Sequence, residues 1–170
     1  NETVRALTAS NPSATAAVLA LLAKDGSATV RSAVALNPST SKDLLSQLAH
    51  DKTIAVCQIV AMSKKLDAAD CNALASDISP LVRMNLAANG NLPQATAMIL
   101  ASDKDARVRS ALAKNSDAPI DKSVFIKLAA DKDALVREAL ALNPKVPKAT
   151  LTELSQDDSL TVQTALAHNP

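Results

Sequence analysis

The side chains best suited to catalysis or metal binding are two cysteines, Cys57 and Cys71, and two histidines, His50 and His168. Thiolates and imidazoles bind zinc or act as nucleophiles when several of them converge on one point. Only His50 lies near the cysteines in sequence, and neither histidine belongs to a recognisable triad or zinc pattern. With two glycines in all, the chain has no glycine-rich phosphate loop. We therefore expect that the chain is not an enzyme and that it has no catalytic residue, no metal site and no cofactor.

The two cysteines also indicate a compartment. They lie 14 residues apart, which is not a disulfide framework, so they favour a reducing, cytoplasmic setting. Cys71 takes a position that holds leucine or phenylalanine elsewhere in the chain, and we interpret it as a small, buried apolar residue.

A column of arginines is the second set of side chains with chemical potential. Stacked on neighbouring helices, such guanidinium groups would lie roughly 10 Å apart and could form a phosphate-binding track. The alternative is a structural ladder in which each arginine pairs with the aspartate six residues before it. An arginine fork that holds a carboxylate is poorly placed to hold a phosphate, so we favour the ladder. Its candidate pairs are Asp25–Arg31, Asp77–Arg83, Asp103–Arg109 and Asp131–Arg137.

One stretch of the chain departs from this column. Cys57 stands in place of the arginine, which in the ladder interpretation leaves Asp51 without its partner. The same stretch carries Lys64 and Lys65 where other copies have proline or polar residues. The two lysines mark either a local basic contact site or a decayed repeat, and we favour decay.

The arginines belong to an internal repeat that runs through the whole chain. A valine recurs at intervals of 26, 26, 26, 26, 28 and 26 residues. Counting each valine as position 1, position 6 is alanine in all seven units and position 8 is asparagine in six. A residue that recurs in every unit is structural, because a catalytic residue is needed once. The units begin near Val4, Val30, Val56, Val82, Val108, Val136 and Val162, and the asparagines assigned to the ladder are Asn37, Asn89, Asn115 and Asn143.

Each unit contains two apolar stripes at helical spacing, separated by a turn that often contains proline. In the first stripe positions 1, 4, 5 and 6 are apolar, as Val136, Ala139, Leu140 and Ala141 illustrate. Proline ends the first helix because it cannot continue the hydrogen-bond ladder. Two helices within 26 residues are short, and neither buries its stripe without stacking on the next unit. The pattern predicts an all-α, short-helix α-solenoid, a superhelical stack that forms a single repeat domain over residues 1–170.

The recurring phrase V-R-x-x-[LV]-A-x-N-P, followed by L-x-x-L-A-x-D, resembles the leucine-rich repeat variant family over essentially the whole chain. A HEAT-like repeat is the second choice, because its Asp-to-Arg turn is similar to "DKDALVR" at residues 131–137. The first resemblance implies a bacterial, right-handed solenoid of alternating short α- and 3₁₀-helices. One member of that family is associated with an iron–sulfur cluster in a separate cysteine-rich segment, and nothing like that segment exists in this chain.

The candidate partner surface consists of apolar residues on what should be the more exposed part of the first helix: Leu36, Met62, Met84 and Leu142. The same residues are equally explained by additional packing between units. We expect a non-enzymatic scaffold that presents an extended surface to another protein. The alternative is a nucleic-acid-binding solenoid that uses the arginine column.

Composition bears on this choice. The net charge of +1 and the absence of tyrosine and tryptophan count against nucleic-acid binding. The longest apolar run, residues 16–23, is far too short to cross a bilayer, so we expect no membrane association. Because the chain starts and stops within a unit, we expect both ends to be truncated mid-repeat. The oligomeric state stays open.

Overall fold

The structure is a computed structural model that describes residues 1–169. These residues form thirteen α-helices and no strand. The odd-numbered helices carry the first stripe of each unit: α1 (Glu2–Ser10), α3 (Ala28–Leu36), α5 (Ile54–Ala61), α7 (Pro80–Ala87), α9 (Ala106–Lys114), α11 (Ala134–Ala141) and α13 (Leu160–Ala167). The even-numbered helices carry the second stripe: α2 (Ala16–Leu22), α4 (Lys42–Ala49), α6 (Ala68–Ala75), α8 (Gln94–Leu100), α10 (Lys122–Ala129) and α12 (Lys148–Leu154). The prediction of an all-α solenoid of short helices is confirmed.

The 3₁₀-helices implied by the family resemblance are not separate elements, because every helix within residues 1–169 is α-helical. Hydrogen bonds of 3₁₀ type occur instead at the helix ends. The Asn37 N–H donates to the Val34 carbonyl at 3.1 Å, and the Asn115 N–H donates to the Leu112 carbonyl at 3.0 Å. Such bonds satisfy carbonyl groups that the last helical turn would otherwise leave without a partner.

A short acidic turn leads into each odd helix after the first; it runs from the recurring aspartate to the next recurring valine. The aspartate Oδ1 accepts the backbone N–H two residues further on, as in Asp51 to Thr53 and Asp103 to Asp105, both at 2.8 Å. That second residue is the N-cap of the helix and is serine, threonine or aspartate in every unit. The repeated aspartate therefore fixes where the next helix begins.

The helices form two layers. Consecutive odd helices pack closely against one another, and consecutive even helices make fewer contacts with each other. This difference places the odd helices on the inner curve of the stack and the even helices on the outer curve. The core lies between the layers, where the recurring valines from Val30 to Val162 are completely buried.

Alanine at position 6 allows neighbouring odd helices to approach closely. Ala61, Ala87, Ala113 and Ala141 have no exposed surface, so a longer side chain at these positions would push two units apart. Among residues 1–169, none of the helices has the length and apolar character that crossing a membrane requires.

Candidate functional site

The arginine column is a buried ladder whose carboxylate partners differ from those predicted. Arg31 donates through Nε and Nη2 to the two carboxylate oxygens of Asp51, at 2.5 and 2.8 Å. Arg31 bonds Asp25, six residues before it, only at the backbone: Nη1 donates to the Asp25 carbonyl at 2.8 Å. The predicted side-chain pairs Asp25–Arg31, Asp77–Arg83, Asp103–Arg109 and Asp131–Arg137 are therefore wrong.

The physical reason is the direction in which each arginine extends. Its guanidinium reaches forward from one unit to the acidic turn that precedes the next unit, while the aspartate behind it faces the unit before. Each ladder arginine from Arg31 onward thus ties three consecutive segments together through a two-bond fork and a carbonyl, whereas Arg5 makes the fork alone. The pairs formed are Arg5–Asp25, Arg31–Asp51, Arg83–Asp103, Arg109–Asp131 and Arg137–Asp157.

This ladder leaves little of the guanidinium groups for a phosphate. Arg31, Arg83 and Arg109 are 5–6% exposed as side chains, and only Arg5, in the first unit, is substantially open at 43%. In the four ladder arginines Arg31, Arg83, Arg109 and Arg137, Nε and both Nη atoms are already hydrogen-bonded within the protein.

Each aspartate that pairs with a ladder arginine has a pKa below its ordinary value. For Asp51 the hydrogen bonds from Arg31 are the largest cause, and burial opposes them. For Asp131 burial is the largest single influence and raises the pKa, but the bonds from Arg109 and the Asp133 N–H, together with the charges of Arg109 and Arg137, outweigh it. A lowered carboxyl pKa stabilises the fold above the ordinary pKa of an unfolded aspartate, and that stabilisation is lost as the pH falls through the lowered value.

Cys57 interrupts the ladder one unit later than the sequence predicted. Asp51 keeps an arginine partner, Arg31, so the expectation that Asp51 is unpaired is wrong. The aspartate that faces the missing arginine is Asp77, and within residues 1–169 its carboxylate accepts only the Ser79 N–H, at 2.7 Å. The Cys57 thiol takes the place of Nη1 and donates to the Asp51 carbonyl at 3.2 Å.

Neither cysteine has the environment of a reactive thiol. Burial raises the pKa of Cys57, and the charges of Asp77 and Asp51 raise it further. Burial, followed by the charge of Asp70, raises the pKa of Cys71 to about 11. Both thiols are buried and protonated at neutral pH, and within residues 1–169 no three His, Cys, Asp or Glu side chains group as metal ligands.

The asparagine column forms a second ladder that links each unit to the unit before it. Asn115 donates through Nδ2 to the carbonyls of Ala87 and Asn89, at 2.8 and 2.9 Å, while its Oδ1 accepts the Asp117 N–H at 3.0 Å. The same two donated bonds are made by Asn37, Asn89, Asn143 and Asn169. Sequence reasoning gave these side chains a structural role but missed their reach into the preceding unit. The signal was available, because the asparagines recur in phase with the position-6 alanines whose carbonyls they bind.

Lys65 partly replaces this link in the unit that has Ser63 instead of asparagine. Its Nζ donates to the carbonyls of Pro38 and Thr40 in the preceding unit, at 2.6 and 2.9 Å. Both lysines are exposed, and the Lys65 side chain makes a structural contact.

The candidate partner surface is mostly exposed but is not continuous. Leu36, Met62 and Leu142 are 69%, 63% and 42% exposed at the C-terminal ends of α3, α5 and α11. Met84 is half-buried and packs against the core. In the two units between Met62 and Leu142 the equivalent positions are Ala88 and Lys114, both exposed, so the apolar strip is divided in two.

Comparisons with known proteins identify the kind of repeat. The family profile described as leucine rich repeat variant matches residues 28–52, which is about one unit. A solved structure described as a leucine-rich repeat variant with a novel repetitive protein structural motif is similar with a TM-score of 0.65 and 27% sequence identity. The match covers 91% of this chain and 61% of that chain, so this chain spans less than two thirds of that relative. No curated protein matches. The predicted resemblance to the leucine-rich repeat variants is confirmed.

Proposed function

We propose that this chain, whose fold is that of a leucine-rich repeat variant, is a non-enzymatic scaffold that presents an extended surface to another protein. The observation that carries the proposal is the exposure of Leu36 and Met62 at the C-terminal ends of two adjacent odd helices, α3 and α5. Neither side chain is needed to fill the core. Adjacent exposed apolar side chains on the inner curve of a stack suit a protein partner.

The engagement of the arginine column also supports a protein partner over nucleic acid. A phosphate track needs guanidinium groups that face solvent, and the forks of Arg31, Arg83 and Arg109 each hold a buried carboxylate. The single aromatic residue, Phe125, is buried in α10 and offers no stacking surface for a base.

The test is capture of partners from a lysate of the source organism by the immobilised chain, with and without nuclease. The matched variants are the double substitution Leu36→Asp with Met62→Asp and the control Leu21→Asp. Leu21 is 73% exposed on α2, in the other layer, so its substitution adds a negative charge away from the inner curve.

We expect a discrete protein that survives nuclease, is lost with the double variant and is retained with Leu21→Asp. Loss of all captured material on nuclease treatment would favour the nucleic-acid alternative. Equal loss with the double variant and the control would remove the assignment to the inner curve.

A further inference from the structure

Two adjoining clefts lie along the edge of the stack where the even helices end and the acidic turns begin. The first, of about 820 Å³, lies between the C-terminal end of α6 and α8, and Ile78, Met98 and Ile99 line it. The second, of about 430 Å³, lies between the end of α8 and α10, and Lys104, Lys127 and Lys132 line it. Residues 102–104 line both clefts, so the two clefts lie side by side, and together they are called the groove.

The first cleft is apolar and electrically balanced. Ile78 is 87% exposed at a turn position where other units carry Lys52, Lys104 and Lys132. Ile99, on α8, is also exposed, and Met98 is half-buried beside it. The ionised side chains of this cleft are two aspartates, Asp77 and Asp103, and two cations, Arg83 and Lys104. The cleft therefore offers contact mainly to an apolar group.

The second cleft has unbalanced positive charge. Its two aspartates, Asp103 and Asp131, are already held by Arg83 and Arg109. Within residues 1–169 the Nζ atoms of Lys104, Lys127 and Lys132 have no hydrogen-bond or ion-pair partner, and all three side chains are exposed. Three lysines on a concave surface favour an anionic group.

We propose that the groove binds an extended segment of a partner protein, with an apolar side chain in the first cleft and a carboxylate against the lysines of the second. Neighbouring units stack about 10 Å apart, and an extended chain advances about 3.3 Å per residue. The apolar residue and the carboxylate are therefore about three residues apart in the segment. This inference rests on the proposed function and specifies a second surface, distinct from Leu36 and Met62, with its own partner chemistry.

A peptide segment fits this groove better than a nucleic acid does. Phosphates would meet the three lysines but find no complementary group at Ile78, Met98 and Ile99. Neither cleft is lined by an aromatic ring on which a base could stack.

The experiment is selection from a phage-displayed library of random peptides on the full 170-residue chain. The same selection is run on Ile78→Lys, on the double variant Lys127→Glu with Lys132→Glu, and on the control Lys52→Glu. Lys52 occupies the equivalent turn position in another unit and lines neither cleft. All four residues are exposed, and circular dichroism of each variant checks that it is folded.

We expect enriched peptides to carry an apolar residue followed or preceded at about three positions by Asp or Glu, because both clefts must be filled at once. The affinity of the protein for a fluorescently labelled enriched peptide should fall about tenfold or more with Ile78→Lys and with the double lysine variant. It should stay unchanged with Lys52→Glu. Three results would each overturn the proposal: no enrichment, enrichment without this pattern, or affinity unaffected by Ile78→Lys. Tighter binding of a single-stranded oligonucleotide than of the peptides would assign the groove to nucleic acid instead.

Failure of this inference is separable from failure of the proposed function. If lysate capture depends on Leu36 and Met62 but not on Ile78, the scaffold proposal stands without the groove. If nuclease removes all captured material, the scaffold proposal fails, and with it the inference that rests on it.

Discussion

At the scale of single residues, the buried arginine–aspartate forks carry a large share of the connection between units. Arg109 bonds both carboxylate oxygens of Asp131, at 2.5 and 2.9 Å, and both side chains are 6% exposed. Two bonds in a fork hold the charged groups in one geometry, and the Asp103 carbonyl satisfies Nη1 at 2.7 Å. A buried pair of this kind is costly to break because the remaining charge has no partner.

We predict that Arg109→Ala lowers the free energy of unfolding by about 3–5 kcal/mol, because Asp131 would keep a buried charge without its counterion. The matched control is Arg107→Ala, which removes an arginine two residues away whose side chain is 60% exposed in its pair with Asp105. The control should cost no more than about 1 kcal/mol, as exposed pairs do. Urea unfolding followed by circular dichroism measures both, since the chain has no tryptophan. Equal losses in the two variants would contradict the ladder's structural role.

The sequence predicted the structural role of single residues but not their pairing partners. Recurrence alone indicated that arginine, aspartate and asparagine are structural. It could not identify which aspartate each arginine meets, because the carboxylates of Asp25 and Asp51 lie six residues before and 20 residues after Arg31, and either was compatible with the repeat. The choice depends on which unit the aspartate faces, and that is set by how the units stack.

At the scale of helices and turns, the apolar stripes and prolines gave the two-helix unit correctly. The 3₁₀ component was not found, because the second stripe has seven or eight residues, enough for a short α-helix.

The exposed surface was predicted only in part. Leu36 and Met62 lie on the open inner curve, but Met84, four residues before Ala88, is turned towards the core. Ile78 and the three groove lysines were missed. Ile78, Lys104 and Lys132 occupy one turn position whose residue type changes from unit to unit, and Lys127 is an exposed residue of α10.

The asparagine ladder is the element-scale link most open to a clean substitution. We predict that Asn115→Asp destabilises the fold by about 2–4 kcal/mol, because two donated bonds are replaced by an oxygen that faces the carbonyls of Ala87 and Asn89. Oδ1 of the new aspartate can still accept the Asp117 N–H, so the turn itself is preserved.

The control for this prediction is Asn11→Asp in the first unit. Asn11 is exposed, and within residues 1–169 its side chain makes one hydrogen bond, accepting the Ser13 N–H through Oδ1 at 2.9 Å. This variant should stay within about 0.5 kcal/mol of the parent in urea unfolding. A loss as large as that of Asn115→Asp would show that the turn, and not the link to the preceding unit, is what the asparagine stabilises.

At the scale of the whole molecule, each unit is held only by its two neighbours, so stability is distributed along one dimension. The unit that begins at Val56 contributes neither standard link, although it keeps the Arg31–Asp51 fork from the preceding unit and the Asn89 bonds from the following one. Cys57 makes no fork with Asp77, and Ser63 makes none of the asparagine bonds, which Lys65 replaces only in part. Packing in this unit is otherwise intact, since Val56, Val60 and Ala61 are completely buried. The weakness is therefore in the polar links, one of which is missing at each end of this unit, and these two junctions are where an interior opening of the stack should begin.

We predict that Cys57→Arg strengthens the junction between this unit and the next, at Asp77. It should raise the free energy of unfolding by about 1–3 kcal/mol. The new guanidinium would replace the thiol at the Asp51 carbonyl and reach the Asp77 carboxylate, the same arrangement that Arg31 makes with Asp25 and Asp51. Native-state hydrogen exchange should show slower exchange in α5 through α7 and little change in α9 and α11. Cys57→Lys is the control, because an ammonium adds the charge but cannot form the fork. If both substitutions destabilise equally, the interruption is enforced by local packing, and the junction is not a missing link in the ladder.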